Sequence, residues 1–215
     1  MSVKLSKTSK LDGILSWSLQ ARDTCPASIE NGELVDACKG CYAVGGNYRF
    51  PNVKAPREFN RLDWQRLDWA DDMVKALDSS RYFRWFDSGD MYALGLAEKI
   101  LEVMKRTPWV KHWLPTRMHK FPKYRLVLES MKSLDNVSVR FSSDSVTGQY
   151  VDGLHGSVII PTPSDVTKDM TICNAYANDG KCNGCRACYD KSIPLIAYPA
   201  HGKTMNRVIM LKKAA

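Results

Sequence analysis

The sequence predicts an α/β fold, a partial or irregular (β/α) barrel with a cysteine-rich C-terminal insertion. Three observations predict it. Short apolar runs alternate with segments of helical spacing through the middle of the chain, and such alternation gives parallel strands joined by helical crossovers. Each run ends in polar or turn residues, the pattern of folds that gather their site at the carboxyl ends of the strands. The seven cysteines lie outside the alternation, three before residue 42 and four after residue 172. An open doubly wound sheet is the alternative arrangement of the same elements.

Residues 13–19 (GILSWSL) read as the first strand and run directly into Cys25. Residues 27–56 read as a loop carrying Cys38, Cys41 and Gly45-Gly46, and a loop of that length in a compact domain is usually functional. Residues 57–77 read as one helix, with Phe59, Leu62, Leu67, Ala70, Val74 and Leu77 on its apolar face. Trp64 and Trp69, in an echoed Arg-Leu-Asp-Trp, read as packing residues. Strands follow at 82–86, 110–114, 137–141, 157–160 and 193–198, with helices at 94–105 and 123–131. The strand ends carry Asp87-Ser88-Gly89-Asp90, Thr116-Arg117, Ser142-Ser143-Asp144, Thr162 and His201. Residues 207–211 read as an edge strand or a terminal helical turn. The chain divides into a partial barrel over 1–165, with its three-cysteine loop, and a segment over 166–215 with four cysteines and the closing strand.

Cys25, Cys38 and Cys41 are spaced C-x12-C-x2-C, and Cys173, Cys182, Cys185 and Cys188 are spaced C-x8-C-x2-C-x2-C. Thiolates two residues apart can point at one centre across a tight turn. The compact C-x2-C-x2-C run is a 4Fe–4S spacing, whereas structural zinc usually takes two separated pairs. Structural zinc stays open as an alternative. A disulfide framework fits poorly, because seven is odd and nothing marks a secretory context. Four cysteines close a cluster. Three leave one iron without a protein ligand, so that it can bind a small molecule or be lost to leave a 3Fe–4S centre. The C-terminal group is therefore the structural or electron-relay candidate and the N-terminal group the chemical one.

The formal net charge is +8, with basic residues spread along the chain. That balance permits an anionic substrate or a nucleic-acid partner without requiring either. The polar, basic first ten residues predict no signal peptide, and no apolar run is long enough for a membrane span. Metal-bound thiols predict a reducing cytoplasm. No phosphate-binding or dinucleotide-binding glycine motif is present. Asp87 and Asp90 are candidates for a carboxylate pair. Among the histidines, His112 reads as a packed core residue, and His201 has the best position for function.

A three-cysteine loop after the first strand of a βα series resembles the radical S-adenosylmethionine (SAM) superfamily. That resemblance implies a 4Fe–4S cluster whose open iron chelates the amino and carboxylate groups of SAM, and whose reduction cleaves SAM to a 5′-deoxyadenosyl radical. The late four-cysteine group is similar to the auxiliary clusters of many members. More narrowly, Thr24-Cys25-Pro26, Cys41-Tyr42-Ala43, the tryptophan-rich strand ending in Asp87-Ser88-Gly89-Asp90 and the late cysteine cluster resemble a family of bacteriophage-encoded iron–sulfur proteins without an established reaction. The superfamily's usual spacing is C-x3-C-x2-C with an aromatic before the last cysteine. Here the first gap is 12 residues, Gly40 precedes Cys41, and Tyr42 follows it. Extra residues in such a loop can bulge out at small entropic cost.

By the same resemblance, Ser88-Gly89-Asp90 corresponds to the segment whose backbone meets the SAM amino group. Gly89 allows close approach and Asp90 accepts from the ammonium. The plain alternative is a turn with Asp90 capping the next helix. Arg117 and Ser142 fall where the superfamily contacts the SAM carboxylate or ribose. Three functions follow. The first is a radical-SAM-type enzyme with an unknown substrate and a reductant for its cluster. The second is an iron–sulfur protein used for electron transfer, sensing or stability. The third is a zinc-stabilised nucleic-acid-binding protein.

Overall fold

A computed structural model describes residues 3–150 and 153–213. In chain order the elements are β1 (Ser6–Thr8), β2 (Ile14–Trp17), β3 (Ile29–Glu30), β4 (Glu33–Leu34), α1 (Asp36–Lys39), α2 (Pro51–Asp63), α3 (Trp69–Ala76) and β5 (Tyr82–Trp85). They continue with α4 (Leu94–Arg106), β6 (Lys111–Thr116), α5 (Arg125–Ser133), β7 (Val137–Ser142), β8 (Gly156–Ile160), β9 (Met170–Ile172), β10 (Leu195–Pro199) and α6 (Lys203–Lys213).

Eight strands form one sheet in the order β1-β2-β5-β6-β7-β8-β10-β9. Only β1 runs antiparallel to its neighbour; every other pairing in this sheet is parallel. The fold is therefore mixed α/β with a mostly parallel sheet. From β2 to β10 the order never reverses, which sets it apart from a doubly wound sheet. The order has two ends, β1 and β9.

Strand alternation separates two faces. Trp17, Phe83, Trp85, Leu114, Val137 and Val139 lie on the first face and pack in the main core with α3, α4 and α5. Helix α4 presents Leu96, Ala97, Ile100, Val103 and Met104 to it, and α5 presents Val127, Leu128 and Met131. Both sets follow the i, i+3, i+4 rule. Burying each larger side chain contributes about 1.5–3 kcal/mol. Trp17 sits edge-on to Trp69 and Trp85, with ring centroids 5.4 and 6.3 Å apart. His112, also on this face, is fully buried. It accepts from the Trp85 indole at 3.2 Å through Nδ1 and meets the Thr107 hydroxyl at 2.9 Å through Nε2, so it is a packed core residue.

The second face is polar where the first is apolar. Register places Ser16, Arg84 and Trp113 side by side, with Ser138, Arg140 and Ser142 along the same face of β7 and Tyr198 on β10. This face carries the candidate site.

Two expectations are corrected. The single helix over 57–77 is two, broken where Arg66 gathers Asp63, Asp68 and Asp72. Its inward face in α2 is polar: Arg57, Asn60 and Asp63 are buried, while Leu62 is 71% exposed and Leu67, in the break, 98%. Asn60 donates to the carbonyls of Lys4 and Ser18, and Arg57 to Ser88. Of the two readings of residues 207–211 the helical one holds: they lie in α6, which buries Met205, Val208 and Ile209 at helical spacing. The 27–56 loop contains the β3–β4 hairpin, α1 and part of α2.

Candidate metal centres

Cys25 lies eight residues beyond β2, inside a tightly clamped turn. The Leu19 amide donates to the Ser88 carbonyl at 3.0 Å, the Ser88 hydroxyl to the Leu19 carbonyl at 2.6 Å, and the Asp90 amide to the Thr24 carbonyl at 3.0 Å. Phe86 adopts φ +55° at the end of β5, a left-handed conformation that costs a bulky residue roughly 1–2 kcal/mol. It turns the chain so that Asp87-Ser88-Gly89 can meet the loop after β2.

The 12-residue gap to Cys38 is taken up by the β3–β4 hairpin. Asn31 and Gly32 form its turn with φ +50° and +81°, as a two-residue I′ turn demands. The hairpin base closes where the Val35 amide donates to the Ser28 carbonyl at 2.9 Å, and Ser28 in turn donates to the Cys25 carbonyl at 2.6 Å. The chain therefore leaves and returns at nearly one place. Helix α1 then delivers Cys38, held by the Ala37 amide donating to Asp144 at 2.9 Å, and the Cys41 amide donates back to the Cys38 carbonyl at 3.2 Å. Gly40, where the superfamily's pattern has an aromatic, lies against α6. A Cβ there would come within 2.7 Å of Met205 Cε and 3.0 Å of its Cα.

The three thiols sense one another. Burial, then the nearby Asp90 carboxylate, pushes the Cys25 thiol up to about 12, with Cys38 and Cys41 adding to the rise. Burial likewise raises Cys38, which Arg117 and Lys120 partly offset. Thiols raised in this way, Cys25 and Cys38, need a cation or hydrogen-bond donors to become thiolates.

The second group lies on the polar face, with Cys182 and Cys188 packed beside Leu11, Ile14, Tyr82, Trp113 and Tyr189. Ile14 and Tyr82 begin their strands, so this group reaches toward the amino ends of β2 and β5, away from Cys25. The segment is held from both sides. The Cys182 amide donates to Lys10 at 2.8 Å, and Asp12 accepts from the Gly184 amide at 3.0 Å and from Arg186 at 2.8 Å. Buried Arg140 donates to the carbonyls of Ala187, Cys188, Asp190 and Ile193 at 2.7–2.9 Å. Burial raises the Cys182 thiol, and Cys173, Cys188 and Cys185 raise it further. Burial also raises Cys188, whose sulfur lies 3.3 Å from the Tyr198 hydroxyl.

Three buried polar atoms beside Cys182 and Cys188 have no hydrogen-bond partner among the described residues: Arg84 Nε, Trp113 Nε1 and the Tyr189 hydroxyl. Such groups are rarely left orphaned. All three can donate, and sulfur-rich clusters accept hydrogen bonds of this kind. The donor set therefore fits an iron–sulfur group. Among the described residues, no three His, Cys, Asp or Glu side chains come together tightly enough to hold a single metal ion.

Of the residues expected to bind SAM, Ser88, Gly89 and Asp90 lie against the Cys25 loop and Arg117 beside Cys38, each engaged with protein. Gly89, at φ +80°, has Leu19 Cβ and Thr24 Oγ1 only 2.6 Å from where its own Cβ would stand. The close approach it permits is thus to the Cys25 loop. The Asp90 carboxylate accepts from the Met91 amide at 2.8 Å, the Thr116 hydroxyl at 2.7 Å and the Arg117 amide at 2.9 Å. It does not cap α4, whose N-cap is Ala93. Arg117 binds Asp144 at 3.0 Å and the Ser143 carbonyl at 2.8 Å. Ser142 ends β7 and lines a cleft of about 10 Å³ with His119 and Tyr150. Asp87 and Asp90 have separate partners: Asp87 accepts from Tyr48, from Arg84 at 2.8 Å and from Arg57 at 3.5 Å. His201 stacks on Tyr176 with ring centroids 4.1 Å apart. Arg84, Arg140, Trp113, Tyr189 and Tyr198 escaped the sequence reading, although an arginine inside each of two apolar strands was a visible signal.

No helix among the described residues is long and apolar enough to cross a membrane. No curated protein and no solved structure matches the chain. The family model described as Gene product 88 matches residues 2–210, nearly the whole chain, which therefore belongs to that phage-type family.

Proposed function

We propose that this protein is an iron–sulfur protein of radical-SAM type, holding one cluster through Cys25, Cys38 and Cys41 and a second through Cys173, Cys182, Cys185 and Cys188. The observation that carries the reading is the return of Cys38 and Cys41 to Cys25 across the hairpin, at the carboxyl end of β2. The unbroken strand order from β2 to β10 suits a partial (β/α) barrel. A cubane spreads its thiolates around a larger body than a single ion does, so thiols that sense one another without crowding one point suit it better than zinc.

When bound, a cluster with one iron lacking a protein ligand supplies one-electron chemistry to a small molecule on that iron. The chain's own part is to position and to insulate. The Ser88-Gly89-Asp90 turn fixes the Cys25 loop, Ala37 and Gly40 seat the second and third cysteines against the turn after β7 and against α6, and Arg117 with Lys120 places positive charge beside Cys38. An external one-electron donor serves as reductant, and an anionic substrate suits the net charge of +8.

A second reading rests on the engaged state of Gly89 and Asp90. With both turned toward protein, the clusters would serve electron transfer, sensing or stability without SAM. Anaerobically purified protein decides between them. Reductive cleavage of SAM to 5′-deoxyadenosine supports the first reading. A brown protein that neither binds nor cleaves SAM supports the second. A colourless protein containing only zinc removes both.

A further inference from the structure

We propose that Arg84 is a positive charge shared by the two cysteine groups, so that it sets the reduction potentials of both centres together. The inference rests on the iron–sulfur reading and adds a residue that neither cysteine motif predicts.

Arg84 stands in the middle of β5, buried, on the polar face. Its guanidinium reaches both ways. Toward the N-terminal group, Nη2 donates to the Tyr42 hydroxyl at 3.5 Å and Nη1 to Asp87 at 2.8 Å. Tyr42 directly follows Cys41, and its own hydroxyl donates to the Asp87 carbonyl at 2.7 Å. Toward the C-terminal group, the guanidinium lies 4.5 Å over the Trp113 ring, which meets Tyr189 edge-on at 5.8 Å. Tyr189 directly follows Cys188. The remaining donor, Nε, is buried and unpartnered. One cation therefore bonds the tyrosine that follows Cys41 and stacks on the tryptophan that packs against the tyrosine following Cys188.

The neighbouring cations divide differently. Arg140 is bound by four carbonyls of the C-terminal segment. Arg117 and Lys120 pair with Asp144 beside Cys38. Asp87 offsets part of the Arg84 charge but binds one end of the fork only. In a water-poor interior a fixed charge acts over longer range than at the surface. A cluster that gains an electron becomes more negative, so a nearby cation stabilises the reduced form and raises the potential. A cation between two clusters does this for both and offsets the repulsion between their added electrons. Each reduction is one electron taken from an external low-potential donor, with no bond made or broken.

The test is a redox titration with dithionite, followed by electron paramagnetic resonance, on the full chain with both clusters loaded. Arg84→Gln should shift both midpoint potentials to more negative values. Lys120→Gln, as the one-sided control, should shift only the N-terminal centre. Arg84→Lys, which keeps the charge and loses the fork, should leave both near wild type. If Arg84→Gln moves one centre alone or neither, the shared-charge proposal is overturned. If Arg84→Gln does not retain its clusters, Asp87→Asn decides: removing the carboxylate that offsets Arg84 should shift both potentials to more positive values, and a shift of one centre alone or of neither overturns the proposal. A wild-type protein without iron fails the iron–sulfur reading itself, whereas wild-type clusters with unmoved potentials fail this inference only.

Discussion

Gly89 shows how a residue expected to face a ligand can instead be fixed by its own chain. Its left-handed φ and the 2.6 Å approach of Leu19 and Thr24 leave no room for a methyl group. Gly89→Ala should destabilise the fold by about 1–3 kcal/mol, measured by denaturant unfolding, and should loosen the Cys25 loop. A variant of wild-type stability would mean that the turn is not the clamp described. His112 gives a residue-scale pH prediction. Burial holds its folded-state pKa down to about 3, against 6.5 when unfolded. Above pH 6.5 both states are neutral there. As pH falls from 6.5 toward 3, only the unfolded chain takes the proton, so stability is lost by up to about 1.4 kcal/mol per pH unit. His112→Gln, compared with wild type over pH 7 to 4, should flatten that slope. Equal slopes would contradict the buried neutral imidazole.

At the scale of elements, the hairpin between Cys25 and Cys38 makes the sharpest claim. The pinned pair Ser28 and Val35 implies that residues 29–34 are an excursion rather than a spacer. Replacing those six residues with Gly-Gly should leave iron content per chain unchanged. Loss of iron in the shortened protein would show that the hairpin itself shapes the centre. This element was legible in the sequence, since Asn31-Gly32 is a strong two-residue turn signal, but a reading by apolar periodicity passes over strands two residues long. The same bias explains α2, where Phe59 and Leu62 suggested the inward face. The structure buries Arg57, Asn60 and Asp63 instead, because backbone carbonyls and Ser88 await their donors. The six longer strands were legible because each is an apolar run between turn residues. β9, only Met-Thr-Ile, was not, and its place at the sheet edge beyond β10 follows from tertiary pairing alone. The cysteine groups could be read from spacing. Their separation along the polar face could not, because it depends on Arg140, Asp12 and Lys10 anchoring a segment that is remote in sequence.

For the whole molecule, the segment from Cys182 to Asp190 works as a strap. It joins the β1–β2 end of the sheet, through Lys10 and Asp12, to β7 through Arg140. Cys185→Ser should therefore lower the melting temperature more than Cys38→Ser, while Cys38→Ser should remove the N-terminal centre and leave the other. Equal melting temperatures would contradict the division between a structural and a chemical centre. The central claim is that thiols from both parts of the chain hold inorganic iron on one polar sheet face. Its most direct test is electron paramagnetic resonance, with iron and sulfide analysis, on protein made and handled without oxygen, with and without SAM. The account predicts two cluster signals, one of them lost in Cys38→Ser and altered by SAM. A colourless protein carrying only zinc would contradict it.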